Sequence, residues 1–210
     1  MFLGCLYTFV DRLKPESFVL SGFFACVGGY AGPLDFFFRP RYTETSNAEV
    51  FVMESETKIA VLKRIARRFN EAGLVWALGA SMLLYFKQIT SEFHDIDLMV
   101  ADEDAARARQ LLCEMGTLQP LNPSSQYKTK CFMEFIIDGV DVDVMAGFAI
   151  VANGQTHNCA LQKEQIVETL TLDGEIIPLQ SAALWRGYYA LMGRSAKVEM
   201  IDRYLSETRP

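Results

Sequence analysis

Histidine is scarce in this 210-residue chain, which holds only His94 and His157, so a histidine-rich zinc site has too few ligands to form. Cysteine occurs five times, as Cys5, Cys26, Cys113, Cys131 and Cys159, with no CxxC pair. That spacing offers neither a zinc knuckle nor a redox motif, and reads as free thiols in a reducing cytoplasm. A basic excess is missing too: 20 Lys and Arg face 26 Asp and Glu, a net charge of −6. Tight, sequence-independent binding to nucleic acid needs the opposite balance, although a local basic groove is compatible with these numbers. The acidic balance favours a small-molecule substrate over a long polyanion. Long apolar runs are also absent. Phe18 to Gly32 is too short and too rich in glycine for a membrane span. Before it, Asp11, Arg12, Lys14 and Glu16 give mixed charge where a secretory signal has a basic start. No internal repeat or low-complexity segment occurs. What remains is a chain that is 50% hydrophobic and 22% charged, a globular composition with enough length for a sizeable core.

Residues 1–52 differ from the rest. Phenylalanine and glycine are concentrated there, and no helical or strand period persists, so the expectation is a weakly ordered extension preceding a domain over residues 53–210, with a start at Met53 as one origin of that boundary. From Glu54 the pattern sharpens. Ile59, Leu62, Ala66 and Phe69 recur at helical spacing, Lys63, Arg64, Arg67 and Arg68 form the solvated side, and Gly73 stops the helix. Leu74–Leu78 reads as a buried strand, Ser81–Phe86 as a buried helix, and Asp102 as the N-cap of a helix through Met115. Tyr127–Ile137 and Val140–Met145 flank Asp138-Gly139, a strong two-residue hairpin signal. That turn pairs Ile137 with Val140, Ile136 with Asp141 and Glu134 with Asp143. Phe135, Ile137, Val140, Val142 and Val144 then face the core, and Glu134, Asp141 and Asp143 face the other way. A further hairpin turns at Asp173-Gly174. Ser181 caps a helix through Met192, and Ser195 caps a last one through Leu205. Alternating strands and helices imply an α+β fold, a mixed β-sheet covered by helices.

The stretch Leu74–Val100 carries the chemistry. Asp95 and Asp97 stand two apart on an apolar strand, so their side chains share a face about 6–7 Å apart. Like charges that close are costly unless something positive lies between them, and a divalent cation held by oxygen ligands is the usual solution. Gly79-Ala80-Ser81 opens the preceding helix. A helix start after glycine presents unpaired amide N–H groups to an anion, and the Ser81 hydroxyl adds a donor. His94 precedes the acid pair, points to the opposite face by alternation, and reads as structural. Trp185, Tyr188 and Tyr189 fall at helix spacing and read as core, with a shelf for a base or acceptor as their alternative use.

Gly79-Ala80-Ser81 followed by Asp95-Ile96-Asp97 resembles the signature of the nucleotidyltransferase superfamily, the DNA polymerase β-like fold, and in particular the small bacterial aminoglycoside and lincosamide nucleotidyltransferases. The resemblance covers residues 55 to 205. It implies that Gly79 and Ser81 hold the phosphates of an NTP co-substrate, and that Asp95, Asp97 and a third acid hold two magnesium ions. Asp143 and Asp141 both lie on the right face. Asp143 is preferred because it sits nearer the strand end where the family's third acid lies. Ala80 stands where the family often has a second glycine. Lys130, Arg194 and Lys197 are candidates to reach the triphosphate, with a surface charge as the other reading of each. The implied reaction is in-line transfer of an NMP to a hydroxyl of a small-molecule acceptor, with pyrophosphate leaving. A toxin-like enzyme acting on tRNA or protein, and a degenerate member binding nucleotide or a partner protein without turnover, are the alternatives.

Overall fold

The computed structural model describes residues 47–122 and 124–208, with side chains from residue 54 onward. Most of the extension expected over residues 1–52 lies outside the described residues, and the first helix, α1 (Asn47–Glu71), runs through Met53. Next come β1 (Trp76–Leu78), α2 (Ala80–Phe86), β2 (Ile96–Val100), α3 (Ala105–Cys113) and β3 (Thr117–Leu118). Strands β4 (Cys131–Ile137), β5 (Val140–Ala146), β6 (Ala149–Ala152), β7 (Gln155–Asn158), β8 (Glu168–Leu172) and β9 (Glu175–Leu179) follow, then α4 (Ala182–Leu191) and α5 (Ser195–Glu207). This is the α+β architecture expected: a mixed sheet covered by helices, closed by two C-terminal helices.

Seven strands form the main sheet in the order β3-β4-β5-β2-β1-β9-β8, and β6 and β7 pair separately. The pairs β2–β5 and β1–β9 are parallel, and every other neighbouring pair is antiparallel. The polarity follows from the connections. Two-residue turns can join only antiparallel strands, whereas parallel neighbours need a long crossover. Asp138-Gly139 joins β4 to β5 with φ of 51° and 79°, the left-handed pair that matches strand twist. The register is the expected one: Ile137 opposite Val140, Ile136 opposite Asp141, Glu134 opposite Asp143. Phe135, Ile137, Val140, Val142 and Val144 are all buried. Asp173-Gly174 joins β8 to β9 in the same way. Asn153-Gly154, which was not anticipated, makes a third such turn between β6 and β7.

Helix α1 packs against β9, β5 and α3 through Val61, Leu62, Ile65, Ala66 and Phe69, each at most 1% exposed. Its basic side pairs with acids at the hairpin tips and near α3: Lys63 with Asp173, Arg64 with Asp138, Arg67 with Glu175 and Arg68 with Glu114. Solvent screens such exposed pairs, which contribute little, so the buried face is what holds the helix. Ser181 caps α4 as expected, its Oγ accepting the Leu184 N–H at 3.1 Å. Among the described residues no helix is long and apolar enough to cross a membrane.

Three expectations need correction. Asp102 does not cap a helix: it opens a single 3₁₀ turn over Asp102–Asp104 and pairs with Lys130. The carboxylate of Asp104 accepts the Val75 N–H at 2.7 Å, which ties this turn to the start of β1, so α3 begins only at Ala105. Strand β4 begins at Cys131 rather than Tyr127, because residues 126–130 bond across to β6 and its approach: Lys128 N–H to Ala149 O, Lys130 N–H to Gly147 O. Ser195 is the first residue of α5, and Arg194 occupies the cap position.

At Gly139 a Cβ would meet nothing within 4 Å, so Gly139→Ala carries a purely backbone cost, about 1–2 kcal/mol for an L-residue held left-handed. Urea denaturation should show that loss with an unchanged m-value.

Candidate active site

Strand β2 is the pivot of the site. It lies between β1 and β5 in the middle of the main sheet, and its apolar residues Ile96, Leu98, Met99 and Val100 are fully buried. Asp97 interrupts that run. In the parallel β2–β5 pair Asp97 stands directly beside Asp143, and in-register neighbours on adjacent strands put their side chains on the same face. Asp95 immediately precedes the strand. Carboxylate oxygens of Asp95, Asp97 and Asp143 lie within 4.8 Å of one another. Asp141, one step along that face, is exposed and lies outside this cluster.

The electrostatics follow from the crowding. Burial first, then the neighbouring charges of Asp95 and Asp143, push the Asp97 carboxyl well above the usual carboxylate range, and Arg194 opposes the shift. Asp143 is pushed up to about 7, by burial and then by Asp95, Glu134 and Asp141. Such a cluster stores repulsion that either protons or a cation must relieve. Its donors are all oxygen, which suits a hard cation such as Mg²⁺.

The turn before α2 is tied directly to this strand: the Gly79 N–H donates to the Asp97 carbonyl at 2.9 Å. The Gly79 amide is thus committed to the sheet. Its missing side chain matters more, because a Cβ there would lie 2.3 Å from Trp185 Cζ2. Ala80 takes the left-handed φ of 44°, a conformation that an L-residue adopts at a cost. The Ser81 hydroxyl that follows is buried and has no hydrogen-bond partner. Buried polar groups are almost always satisfied, so a hydroxyl unpartnered among the described residues, on a turn bonded to the acid strand, fits a site built for a ligand with oxygen atoms there.

The remaining candidates divide. Arg194 stands near enough to the triad for its charge to act on Asp97, and its guanidinium lies over the Tyr189 ring, 5.8 Å from the centroid. Lys197 is in the first turn of α5, and among the described residues no ion pair joins it to an acid. Lys130 comes just before Cys131, which pairs with Ala146, three register steps from the central Glu134–Asp143 pair, and is engaged by Asp102. Trp185, Tyr188 and Tyr189 are core residues, at most 7% exposed.

His94 is the correction here. It is exposed and lines a cavity of about 260 Å³ together with Asp95, Gln119, Glu134, Asp141 and Asp143. Alternation along a strand could not place it, because β2 begins only at Ile96. Glu134 was legible from the hairpin register. Gln119 was not, since it reaches the site by following β3, its N–H bonded to the Glu134 carbonyl.

No protein-family model matches the chain, and no curated protein matches it in sequence. Solved structures do match it in fold. One is a Thermotoga maritima protein provisionally assigned as a nucleotidyltransferase, with a TM-score of 0.57, 22% identity, and 72% of this chain and 94% of that one covered. Another is ANT(2″)-Ia in complex with adenylyl-2″-tobramycin, with a TM-score of 0.51, 13% identity, and 71% and 90% covered.

The raised carboxyl of Asp143 gives a signed prediction. A carboxyl with a folded pKa above its unfolded value contributes stability that is present below about pH 4 and is lost as pH rises toward 7. Without divalent cation, thermal stability should therefore fall over that window. Asp143→Asn should flatten the fall and gain on the order of 1 kcal/mol at pH 8, allowing for partial exposure. Calorimetric melts with and without Mg²⁺ check both points. The fold these observations describe is that of the nucleotidyltransferases.

Proposed function

We propose that this chain is a metal-dependent nucleotidyltransferase that moves an NMP from an NTP to a hydroxyl of a small-molecule acceptor. The observation that carries the reading is the triad Asp95, Asp97 and Asp143 with mutual oxygen distances within 4.8 Å; the Ser81 hydroxyl, unpartnered among the described residues, adds a free donor on the turn bonded to the acid strand. Asp95, Asp97 and Asp143 would hold Mg²⁺. When bound, magnesium ions supply charge stabilisation for the attacking and leaving oxygens of an in-line displacement.

The chain's own groups have distinct parts. Ser81 donates its hydroxyl hydrogen to a phosphate oxygen. Arg194 offsets charge on the phosphates, since its guanidinium already acts electrostatically on Asp97. Asp143 accepts or steers the proton of the acceptor hydroxyl. The acceptor oxygen forms its bond to the α-phosphorus while the bond from that phosphorus to the α,β-bridging oxygen breaks, and pyrophosphate leaves. Gly79 holds the turn close to β2 without a side chain. Positioning and fixed charge account for most of such an acceleration.

The acceptor side is acidic. Glu134 and Asp141 line the cavity next to the triad, and neither belongs to the triad itself. A cavity with that lining repels the phosphates of tRNA and attracts an acceptor that carries amines as well as hydroxyls. The neighbour solved with adenylyl-2″-tobramycin supports a hydroxylated small molecule as the acceptor class. A complete triad counts against a degenerate, non-catalytic member. Supplies of NTP, Mg²⁺ and reducing conditions for the scattered thiols would place the enzyme in the cytoplasm.

Titration calorimetry with Mg²⁺ and each of the four NTPs tests the reading: metal-dependent binding of at least one is expected, and its absence for all four would defeat the proposal. Asp97→Asn should lower transfer on the order of a hundredfold or more while the melting temperature holds or rises. An Asp97→Asn protein with full activity would disprove the metal assignment.

A further inference from the structure

Among the described residues, four arginines are held by carboxylates: Arg64 by Asp138, Arg67 by Glu175, Arg68 by Glu114 and Arg186 by Asp202. Arg194 is held differently. Among the described residues no carboxylate lies within ion-pair distance of it, and its guanidinium instead covers the face of Tyr189 at 5.8 Å from the ring centroid. The backbone reinforces the arrangement, because the Arg194 N–H donates to the Tyr189 carbonyl at 2.9 Å across the α4–α5 turn.

Tyr189 is well placed to act as a fixed support. It is 1% exposed and packs on Trp185, one helical turn earlier, with ring centroids 5.5 Å apart. Trp185 is itself anchored: its indole N–H donates to Gln180 Oε1 at 2.8 Å, and its ring lies against Gly79. One face of α4 thus touches the Ser81 turn through Trp185 and the α5 cap through Tyr189. An aromatic face attracts a cation without occupying its N–H donors, which point outward in the guanidinium plane. A carboxylate partner would have taken those donors and cancelled the charge.

We propose that Tyr189 is a positioning residue, whose ring holds the Arg194 guanidinium beside the acid triad with its donors free for the phosphates of the nucleotide. The inference rests on the nucleotidyl-transfer reading. It assigns no chemistry to the Tyr189 hydroxyl. The electrostatic influence of Arg194 on Asp97 is consistent with this placement.

A double-mutant cycle on nucleotide affinity tests it, using the full chain with Mg²⁺ and whichever NTP binds the wild type. Arg194→Met should weaken binding about tenfold or more, the loss of a charge-assisted contact to phosphate. Tyr189→Leu should weaken it about two- to fivefold, the scale of an exposed cation–π contact. The double variant should bind no worse than Arg194→Met, because Tyr189 then has nothing to position. Tyr189→Phe, which keeps the ring face, should rescue affinity to within about twofold of wild type. Should the Leu variant fold poorly by thermal melt, para-cyanophenylalanine at position 189 keeps the shape but weakens the negative ring face, and should reproduce the loss. Additive losses in the double variant, or a Phe variant as weak as Leu, would overturn the Tyr189 assignment and leave the transferase reading standing. A wild type that binds no NTP would overturn both.

Discussion

Mutual repulsion among Asp95, Asp97 and Asp143 is the constraint from which the rest of this site follows. Two unit charges about 5 Å apart repel by on the order of 3 kcal/mol at an effective dielectric of about 20. Three such contacts together approach the whole net stability of a typical domain, about 5–15 kcal/mol. The chain therefore cannot keep all three acids ionised and uncompensated. It must bind protons, as the raised carboxyls of Asp97 and Asp143 indicate, or a cation. The acids cannot move apart, since Asp97 and Asp143 are register neighbours in the β2–β5 pair and that pair lies in the interior of a seven-stranded sheet. Hydrogen bonds and buried side chains along both strands fix the separation. A stable sheet thus enforces an unstable charge arrangement, and a ligand with positive charge recovers the difference.

The backbone around Ser81 shows a second tension of smaller size. Ala80 sits at φ 44°, at a cost of about 1–2 kcal/mol relative to a right-handed residue. Gly79 has no room for even a methyl group beneath Trp185. Neither feature helps α2 to fold, and Ser81 is left with a buried, unpartnered hydroxyl. The bond from Gly79 N–H to Asp97 O explains why they persist. It draws the turn against the acid strand, and the contact with Trp185 keeps it there. The aromatic cluster of α4 accordingly has a dual character: it is core by burial, yet its position determines where the two flanking polar groups, Ser81 and Arg194, can stand.

What was legible in the residues and what was not divides by the range of the interaction. The β4–β5 register, with Glu134 opposite Asp143, follows from a two-residue turn and a period of two, both local properties of residues 131–146. The same reasoning applied to Asn153-Gly154 would have found the β6–β7 hairpin. The neighbours Asp97 and Asp143 are 46 positions apart, and a parallel pairing of that span leaves no local mark beyond the acids themselves. His94 was misplaced because alternation holds only inside a strand, and β2 starts two residues later. Asp102 looked like a helix cap by type, but the competing carboxylate of Asp104 binds Val75 N–H and shifts the helix start. Lys130 had a suitable charge near a suitable strand, and only the β4–β5 register shows which end of the pair it occupies. The packing of Tyr189 under Arg194 depends on the turn between two helices, which residue types do not disclose.

The distribution of charge sharpens the distinction between the fold's cations and the site's. The basic side of α1 is the densest positive segment in the described residues, yet its four cations are matched one for one by Asp173, Asp138, Glu175 and Glu114. Three of those acids lie at or beside hairpin turns, so the helix and the turns neutralise each other and present little net field. Arg194 is not treated this way. Its support is an aromatic ring, and its charge acts on Asp97. Cavity-lining Glu134 and Asp141 add negative charge next to Asp95 and Asp143. The site is therefore polarised, with a cation toward the α4–α5 turn and anions toward β4 and β5. A polarised site of this kind orients whatever enters it, drawing negative groups toward Arg194 and positive groups toward the acidic wall.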